Sequence, residues 1–267
     1  MKIWAVANQK GGVGKTTTTV TLAGLLTRQG LQVVMLDLDP HGSLTSYFKL
    51  DPDGVPASTY SLFETAAAGG RGLPPGLPQP VADGLALIPA APALATLDRQ
   101  LGRRQGMGLV VRRALEGLGA RYDVAIMDCP PVLGVLMVNA LAACERLVIP
   151  TQTEFLALKG LERMTRTLDM IMRARRRRVP ATIVPTMFDP ETWACLEALQ
   201  NLRQRYGDQV WEGEIPADSQ FQEASRAGVP LPWVNPRAPG VQAYAALLRA
   251  LLWDSGPVAC ADAAGVG

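Results

Sequence analysis

The amino-acid sequence predicts an α/β fold, in which helices cover both faces of a doubly wound and mostly parallel sheet. Short β-branched or apolar runs alternate along the chain with longer segments of helical periodicity, which is the order of elements that such a sheet requires. The 267 residues are 48% hydrophobic and 19% charged, which is enough to bury one large core. We expect one domain over residues 1–254, followed by a flexible tail of small, neutral residues at 255–267.

Individual strands and helices follow from the same alternation. Strands are predicted near Ile3–Ala7, Gln32–Asp37, Leu85–Pro89, Asp123–Asp128, Arg146–Pro150 and Ala181–Met187. Helices are predicted near Thr16–Gln29, Ala93–Leu101, Met107–Leu118, Phe155–Arg175 and Glu191–Arg205. The stretch from Gly69 to Gly84 is dense in glycine and proline and is predicted to be an exposed loop, because it suits neither a helix nor a central strand.

Charge and cysteine content narrow the class of protein. The formal net charge of +2 is close to neutral, so contact with nucleic acid would have to come from a local patch. The four cysteines lie far apart without a CxxC pair, which favours reduced structural thiols over a metal site. The chain opens directly into a strand-like run and has no apolar stretch long enough to span a bilayer, so we expect a cytoplasmic protein without a membrane anchor.

A glycine-rich loop between the first strand and the first helix carries the strongest functional signal. It consists of Lys10, Gly11, Gly12, Val13, Gly14, Lys15, Thr16 and Thr17. Glycines let backbone N–H groups wrap around an anion, and the following helix adds the positive end of its dipole. Lys15 can reach the β- and γ-phosphates, the Thr16 hydroxyl can bind Mg²⁺, and Thr17 can contact the α-phosphate. The loop therefore predicts a P-loop ATPase domain with ATP and Mg²⁺ as its cofactors.

Three carboxylates at the ends of strands are candidates to complete this site. Asp37 and Asp39 follow the second strand, and Asp128 ends the buried run Val124–Met127 in the manner of a Walker B motif. Carboxyl ends of parallel strands face the ligand crevice, so these side chains can meet the phosphates. We predict that Asp128 and Asp37 support Mg²⁺ through water and that Asp39 positions the attacking water. The alternative for Asp37 and Asp39 is a purely local role in capping the next turn.

A second lysine, Lys10, precedes the glycines of the loop. With it the segment resembles the deviant Walker A family, which includes the ParA and MinD partition ATPases, nitrogenase iron protein and arsenite-pump ATPases. The resemblance implies an ATP-sandwich homodimer in which Lys10 crosses to the phosphates held by the partner subunit. It also implies catalytic roles for Lys10, Lys15 and Asp39, slow ATP hydrolysis and an activating partner protein. The family usually carries glutamine where this chain has His41.

Later segments extend the resemblance to about Leu252. The run from Pro150 to Gly160 is similar to the ParA segment that packs along the dimer face. Other blocks match those around the adenine base, which implies adenine contacts for Met187, Pro216 and Asp218. Within the ParA group, residues 132–141 and 153–164 most resemble the chemotaxis-associated ParA-like proteins called ParC. That resemblance implies positioning of chemosensory arrays at a polar or nucleoid-associated location.

Rival functions stay open at this point. Five arginines at a predicted helix end could bind nonspecific DNA in a plasmid or chromosome partition ATPase: Arg173, Arg175, Arg176, Arg177 and Arg178. The alternative is a solvated helix terminus that complements the dipole. A biosynthetic P-loop ligase is a candidate of another class. A MinD-type protein is disfavoured because the segment Gly240–Trp253 carries one base, Arg249, and an iron protein because the cysteine spacing does not suit a cluster.

Overall fold

The computed structural model describes residues 1–70, 72–97, 100, 106–175 and 178–253. Within those residues seven strands form one sheet: β1 (Lys2–Val6), β2 (Val33–Asp37), β3 (Gln79–Ala82), β4 (Leu85–Ile88), β5 (Val124–Asp128), β6 (Arg146–Gln152) and β7 (Ala181–Thr186). The strand order is β3-β4-β2-β5-β1-β6-β7, and every pair is parallel except β3 with β4. The predicted mostly parallel α/β fold is confirmed.

Helices connect the parallel strands. In chain order they are α1 (Lys15–Thr27), α2 (Ser43–Tyr47), α3 (Thr59–Ala67), α4 (Val110–Glu116), α5 (Val135–Ala143), α6 (Phe155–Arg175), α7 (Trp193–Tyr206), α8 (Gln220–Ala227), α9 (Leu231–Val234) and α10 (Pro239–Trp253). Short 3-10 helices lie at Pro92–Thr96, Met107–Leu109 and Gly207–Gln209. Of the helices within the described residues, none combines the length and apolar character needed to cross a bilayer.

The two faces of the sheet bury separate apolar clusters. Along β2, Val34 and Leu36 face the cluster that includes residues of α4, α5 and α6, whereas Val33 and Met35 face the cluster that includes residues of α1 and α10. Alternate residues of a strand point to opposite faces, so a strand covered on both sides is apolar throughout. This arrangement explains why the central strands appear in the sequence as unbroken apolar runs.

One sequence prediction is wrong in part. Within the expected loop Gly69–Gly84, residues Gln79–Ala82 form β3, which pairs antiparallel with β4 at the edge of the sheet. The register shifts between Pro80 and Ala82. Proline has no N–H to donate, so it is excluded from central strands but tolerated at an edge or a bulge. The composition therefore excludes a central strand correctly but does not exclude this edge strand.

The predicted helix Ala93–Leu101 begins in the structure as the 3-10 helix Pro92–Thr96. Residues 98, 99 and 101 lie outside the described part of the chain, as does the predicted tail at 255–267. The structure also contains short helices that the periodicity does not indicate: α2, α3, α5, α8 and α9. Cys129 and Cys144 are buried, as expected for structural thiols, and Cys195 is partly exposed.

Candidate functional site

The glycine-rich loop joins β1 to α1 at the carboxyl edge of the sheet. Gly12 and Gly14 have φ angles of 74° and 90°, a region that residues with a Cβ rarely adopt. A Cβ added at Gly11, Gly12 or Gly14 would meet nothing within 4 Å. The loop therefore presents an open backbone surface at the start of a helix, which is the geometry that binds phosphate.

Two buried side chains fix this loop to neighbouring strands. Asn8 donates from Nδ2 to the carbonyl of Pro150 at 2.7 Å and accepts from the backbone N–H of Lys10 at 3.0 Å. Thr186 donates from its hydroxyl to the carbonyl of Val13 at 3.0 Å. Neither Asn8 nor Thr186 is among the residues predicted from sequence, although each is a polar residue at the end of a predicted apolar strand. The loop is thus held in shape by contacts to β6 and β7.

Lys15 and Thr16 form the start of α1, at the end of the glycine-rich loop. Lys15 is only 9% exposed, and its ammonium donates to the carbonyl of Lys10 at 3.3 Å across the loop. The Thr16 hydroxyl donates to Asp128 Oδ2 at 2.6 Å. The structure therefore joins the start of α1 to the end of β5.

One carboxylate oxygen of Asp128 is not used in a hydrogen bond within the described residues. Its Oδ1 is buried and has no hydrogen-bond partner among the described residues. Burial raises the pKa of Asp128, and the nearby carboxylate of Asp37 raises it further, while the Thr16 hydrogen bond and Lys15 oppose the change. A buried carboxylate with an unused oxygen fits a cation, which would restore favourable electrostatics. The residues present thus fit Mg²⁺, and Thr16 and Asp128 are the side chains that would hold it.

Asp37 lies opposite Asp128 in the register of β2 and β5 but is used differently. Its Oδ2 accepts hydrogen bonds from the backbone N–H and the hydroxyl of Thr45 at 2.8 and 2.7 Å. Its Oδ1 accepts from the backbone N–H of Asp39 at 3.1 Å. Burial raises the pKa of Asp37 and these hydrogen bonds lower it. Both oxygens therefore shape the loop that follows β2, and a role in the Mg²⁺ shell remains a prediction.

Asp39 stands on that loop, with a side chain that is 13% exposed. Its Oδ1 accepts from the backbone N–H of His41 at 3.0 Å, and the His41 Nδ1 atom lies 2.8 Å from the same oxygen. Asp39 also raises the pKa values of Asp37 and Asp128 through its charge, which places it in the same electrostatic field. The loop thus orients one carboxylate oxygen and leaves Oδ2 available for a water molecule.

Lys10 does not turn its side chain into its own loop. Its ammonium forms an ion pair with Glu154 and lies 3.5 Å from Gln152 Oε1. The Lys10 side chain is 29% exposed and that of Glu154 is 40% exposed, so this cluster reaches the surface. Both partners belong to the segment Pro150–Gly160, which the sequence links to the dimer face but does not pair with Lys10. Of the two lysines of the loop, Lys15 is buried across the loop and Lys10 extends toward the surface.

The predicted adenine contacts are brought together only in part. Backbone hydrogen bonds from Phe188 to Ile215 at 3.0 Å and from Ala217 to Phe188 at 3.2 Å place Pro216 beside the end of β7. Met187 precedes this pairing with a φ of 53° and is 38% exposed. Met187 and Pro216 therefore share one neighbourhood, and their contact with adenine remains a prediction.

Asp218 has a structural task in the described chain. Its Oδ1 accepts from the backbone N–H of Gln220 at 3.0 Å, and its Oδ2 accepts from the backbone N–H of Gly240 at 3.2 Å. These bonds join the start of α8 to the start of α10. Asp218 can still contact a nucleotide, but the carboxylate is already engaged without one.

Arg173 and Arg178, the members of the arginine run whose side chains the structure describes, lie at the opposite end of the parallel strands from the loop. Helix α6 starts at the carboxyl edge of the sheet and returns over 21 residues, about 32 Å at 1.5 Å per residue. Arg173 and Arg178 are exposed near the start of β7. Arg176 and Arg177 lie outside the described residues, and the Arg175 side chain is also not described. The structure thus separates this candidate DNA contact from the nucleotide site.

Comparison with known proteins supports the assignment that the geometry suggests. Residues 1–180 match a family model described as an AAA domain. The chain is 37% identical over 251 residues to the chromosome-partitioning ATPase Soj of Thermus thermophilus, covering 93% of this chain and 94% of that protein. It is 32% identical over 249 residues to the sporulation initiation inhibitor protein Soj of Bacillus subtilis, with coverage of 93% and 97%.

A solved structure gives the same picture. Cobyrinic acid a,c-diamide synthase from Mycobacterium smegmatis with bound ADP and magnesium superposes with a TM-score of 0.80 at 32% identity, covering 96% of this chain and 97% of that one. The nucleotide and magnesium of that relative agree with the ATP and Mg²⁺ that the present sequence predicts. The chain is also 32% identical over 252 residues to the chromosome partitioning protein ParA of Myxococcus xanthus, covering 94% of this chain and 88% of that protein. With its AAA domain, its parallel sheet and its anchored phosphate loop, the chain belongs to the family of P-loop ATPases that contains the partitioning proteins ParA and Soj.

Proposed function

We propose that this protein is an ATP-dependent dimerising switch ATPase that positions or partitions a cellular cargo. The observation that carries the proposal is the placement of Lys10. Its backbone forms part of the phosphate loop, but its ammonium is held at the surface by Glu154 and Gln152. A lysine so placed is available to a second copy of the chain, and the Myxococcus xanthus ParA and Thermus thermophilus Soj relatives are named for chromosome partitioning.

Within one subunit the loop binds and orients the phosphates. Lys15 supplies a positive charge to the β- and γ-phosphates, and the glycine backbone donates N–H groups to their oxygens. Bound Mg²⁺ would neutralise charge on the phosphates, held by Thr16 with Asp128 behind it. The hydrogen bond from Thr16 to Asp128 at 2.6 Å already fixes both side chains for this purpose. Little rearrangement is then required on binding.

Hydrolysis needs a water molecule placed in line with the γ-phosphate. Asp39 Oδ1 is fixed by His41, so Oδ2 can accept a hydrogen bond from that water and orient it. Lys10 of the partner subunit would then stabilise the charge that develops on the transferred phosphoryl group, as an arginine finger does. Because one group comes from another subunit, a monomer would hydrolyse ATP slowly, and an activating partner protein would act on the dimer.

An apolar surface beside Lys10 suits contact with a second copy. Phe155 and Leu156 are each 69% exposed at the start of α6, directly after Glu154. Large exposed apolar side chains that cluster at a polar rim often mark a protein interface. The edge that carries the phosphate loop therefore offers both a charge for the partner and a surface to bury.

The Lys10→Ala variant tests the proposal. We expect it to bind ATP through Lys15 but to remain monomeric at saturating ATP and Mg²⁺, with ATP hydrolysis at least about tenfold slower. Light scattering after size exclusion measures the mass, and phosphate release measures the rate. Lys15→Ala is the control that loses nucleotide binding itself. A Lys10→Ala protein that dimerises and hydrolyses ATP like the parent would refute the shared site.

The cargo is the narrower part of the proposal. Residues 132–141 and 153–164 favour chemosensory arrays through the ParC resemblance, whereas the Soj and ParA relatives are named for chromosome partitioning. We favour the arrays. A fluorescent fusion that follows the chemoreceptor clusters and leaves chromosome segregation unaffected on deletion would support them. Loss of chromosome segregation on deletion, with unchanged arrays, would instead select the partition function.

A second candidate is an amide-forming synthase, which the name of the Mycobacterium smegmatis relative favours. A synthase consumes ATP only when its carboxylate substrate and amide donor are present. A switch ATPase hydrolyses ATP alone. Measurement of ATP turnover by the purified protein, with and without glutamine and cobyrinic acid, distinguishes the two. We expect turnover that neither compound changes.

A further inference from the structure

We infer that Glu154, with Gln152, holds Lys10 in the nucleotide-free subunit and thereby sets the ATP concentration at which the protein dimerises. Glu154 is thus a positioning residue that acts through Lys10. The inference rests on the proposed function, because it assumes that Lys10 serves the partner subunit. Its basis is the ion pair of Lys10 with Glu154 and the 3.5 Å contact to Gln152.

Hydrogen bonds fix the backbone of Lys10, so only its side chain can move between Glu154 and a phosphate of the partner subunit. Its N–H donates to Asn8 Oδ1 at 3.0 Å, and its carbonyl accepts from the Lys15 ammonium at 3.3 Å. The Lys10 side chain is long and flexible, with one charge to satisfy. Binding to a phosphate across the interface therefore requires that Lys10 leave the carboxylate of Glu154.

Glu154 is equally well fixed in the backbone. Its N–H donates to the carbonyl of Gln152 at 2.8 Å, and its own carbonyl accepts from Ala157 at 3.1 Å and Leu158 at 3.2 Å as α6 begins. The carboxylate is consequently carried on a tight turn at the mouth of the phosphate loop. A change of this side chain to its amide alters the charge and leaves the turn intact.

The ion pair between Lys10 and Glu154 is weak enough to be broken when Lys10 is offered a phosphate. Both side chains are partly exposed, at 29% and 40%, and such pairs are weak because water and salt screen them. A triphosphate carries several negative charges and outcompetes one carboxylate. In a twofold dimer both Lys10 side chains must exchange partners, so the effect on dimerisation is squared.

Two substitutions give shifts of opposite sign. Glu154→Gln removes the competing charge, so we expect the half-saturating concentration of a nonhydrolysable ATP analogue for dimerisation to fall roughly two- to twentyfold. Gln152→Glu adds a second carboxylate near the Lys10 ammonium and should raise that concentration. Analytical ultracentrifugation at fixed protein and Mg²⁺ concentrations measures both shifts.

Glu162→Gln is the matched control. Glu162 lies on the same helix but pairs with Lys159, Arg166 and Arg205, so its removal should leave the ATP requirement unchanged. Equal ATP requirements for Glu154→Gln and the parent, or a higher one for Glu154→Gln, would overturn the inference alone.

A second measurement reads the restraint without dimerisation. In nucleotide-free protein, Glu154→Gln should increase the labelling rate of Lys10 by an amine-reactive ester several-fold, with Lys49 as the internal reference in the same mass spectrum. An unchanged rate would contradict the restraint even if dimerisation shifted. A parent protein that stays monomeric at saturating ATP would instead refute the proposed function, and this inference with it.

Discussion

Asp128 is a carboxylate whose burial works against its own charge. In the folded chain, burial and the neighbouring Asp37 raise the pKa of Asp128. In the unfolded chain the carboxyl group has its ordinary pKa of about 4. Above that pH the unfolded chain loses this proton while the folded chain still binds it. The folded state therefore binds more protons, and its stability falls as the pH rises until the folded carboxyl also ionises. The nucleotide site is thus less stable at neutral pH than its apolar surroundings alone would allow.

The Asp128→Asn variant tests this cost. An asparagine oxygen can still accept from Thr16 but carries no charge, so we expect the nucleotide-free variant to gain roughly 1–3 kcal/mol at about pH 7.5. The gain should shrink as the pH falls toward about 4, where the parent is protonated as well. Urea unfolding across this pH range measures the difference. A constant gain at all pH values would mean that packing, not charge, is responsible.

A substitution at Gly11 should affect dimerisation with ATP but not the stability of the single subunit. An added Cβ at Gly11 meets nothing within 4 Å in one subunit, and its φ is not in the left-handed region. We expect the unfolding free energy of Gly11→Val to lie within about 0.5 kcal/mol of the parent value, as for surface substitutions. It should nonetheless fail to dimerise with ATP, because a branched side chain blocks close approach at the phosphates. Thermal unfolding and light scattering check the two halves, and normal ATP-dependent dimerisation would contradict the second.

At the scale of elements, α10 is joined to the helix that follows the phosphate loop by a buried polar contact. The Tyr244 hydroxyl lies 2.8 Å from the Thr18 hydroxyl, and the Tyr244 ring packs edge-on against Phe221 at 5.7 Å. Burial raises the pKa of Tyr244, which keeps the phenol protonated. The hydrogen bond between Thr18 and Tyr244 therefore stabilises the packing of α10 against α1.

Tyr244→Phe should therefore destabilise the protein by about 1–2 kcal/mol, because Thr18 loses its partner in a dry interior. Thr18→Val alone should cost a similar amount. The double variant should cost less than the sum of the two, since no unpaired hydroxyl remains. Urea unfolding of the three variants gives the coupling. Strict additivity would show that the hydrogen bond contributes nothing.

Element by element, periodicity predicts the long and central parts of this fold. The parallel strands and α1, α6 and α7 are long or apolar enough to show their period, so the sequence locates them within a few residues. Helices α2 and α3 span only 5 and 9 residues, too few for a clear helical repeat. Helix α5 is apolar all round, and its buried Asn139 is satisfied by Met107 and Val135, so its faces are not distinguishable from sequence. The sequence pattern does not predict these helices, because contacts with the rest of the fold determine where they form.

The candidate site divides in the same way. The phosphate loop and Asp128 are predictable because their chemistry lies in contiguous motifs beside apolar strands. The restraint of Lys10 by Glu154 is not, since the two residues are far apart in sequence and only the pairing of β1 with β6 brings them together. The same holds for Thr186 and Val13, which are 173 residues apart. Spacing along the chain cannot express such contacts.

At the scale of the whole molecule, the nucleotide site lies at the carboxyl ends of the parallel strands, and Arg173 and Arg178 lie near their amino ends. DNA held by Arg173 and Arg178 would not touch the nucleotide, so we expect ATP to strengthen DNA binding by joining two subunits. A dimer presents two such patches, and the second patch binds at a high effective concentration. ATP dependence would then be a consequence of valency.

This geometry predicts a definite salt dependence. If the run binds DNA, Arg173→Ala with Arg178→Ala should reduce the slope of log affinity against log salt by up to about 2, near 0.9 for each phosphate that is no longer neutralised. Fluorescence anisotropy with a labelled duplex between about 50 and 200 mM salt measures the slope for an Asp39→Ala protein trapped as the ATP dimer. An unchanged slope would leave the arginines as a solvated helix end.

The two outer strands of the sheet, β3 and β7, are poorly suited to pair with strands of another molecule. On one side, Pro80 and the register break interrupt the ladder of β3, and on the other, Val210 bridges to Ile183 while the Trp211 N–H donates to the Ile183 carbonyl at 2.9 Å. Exposed strand edges invite endless pairing between molecules, and interrupted or covered edges prevent it. If the proposed function is right and copies gather at high local density on a cargo, these strand edges would disfavour growth into fibres and leave association in pairs through the nucleotide site.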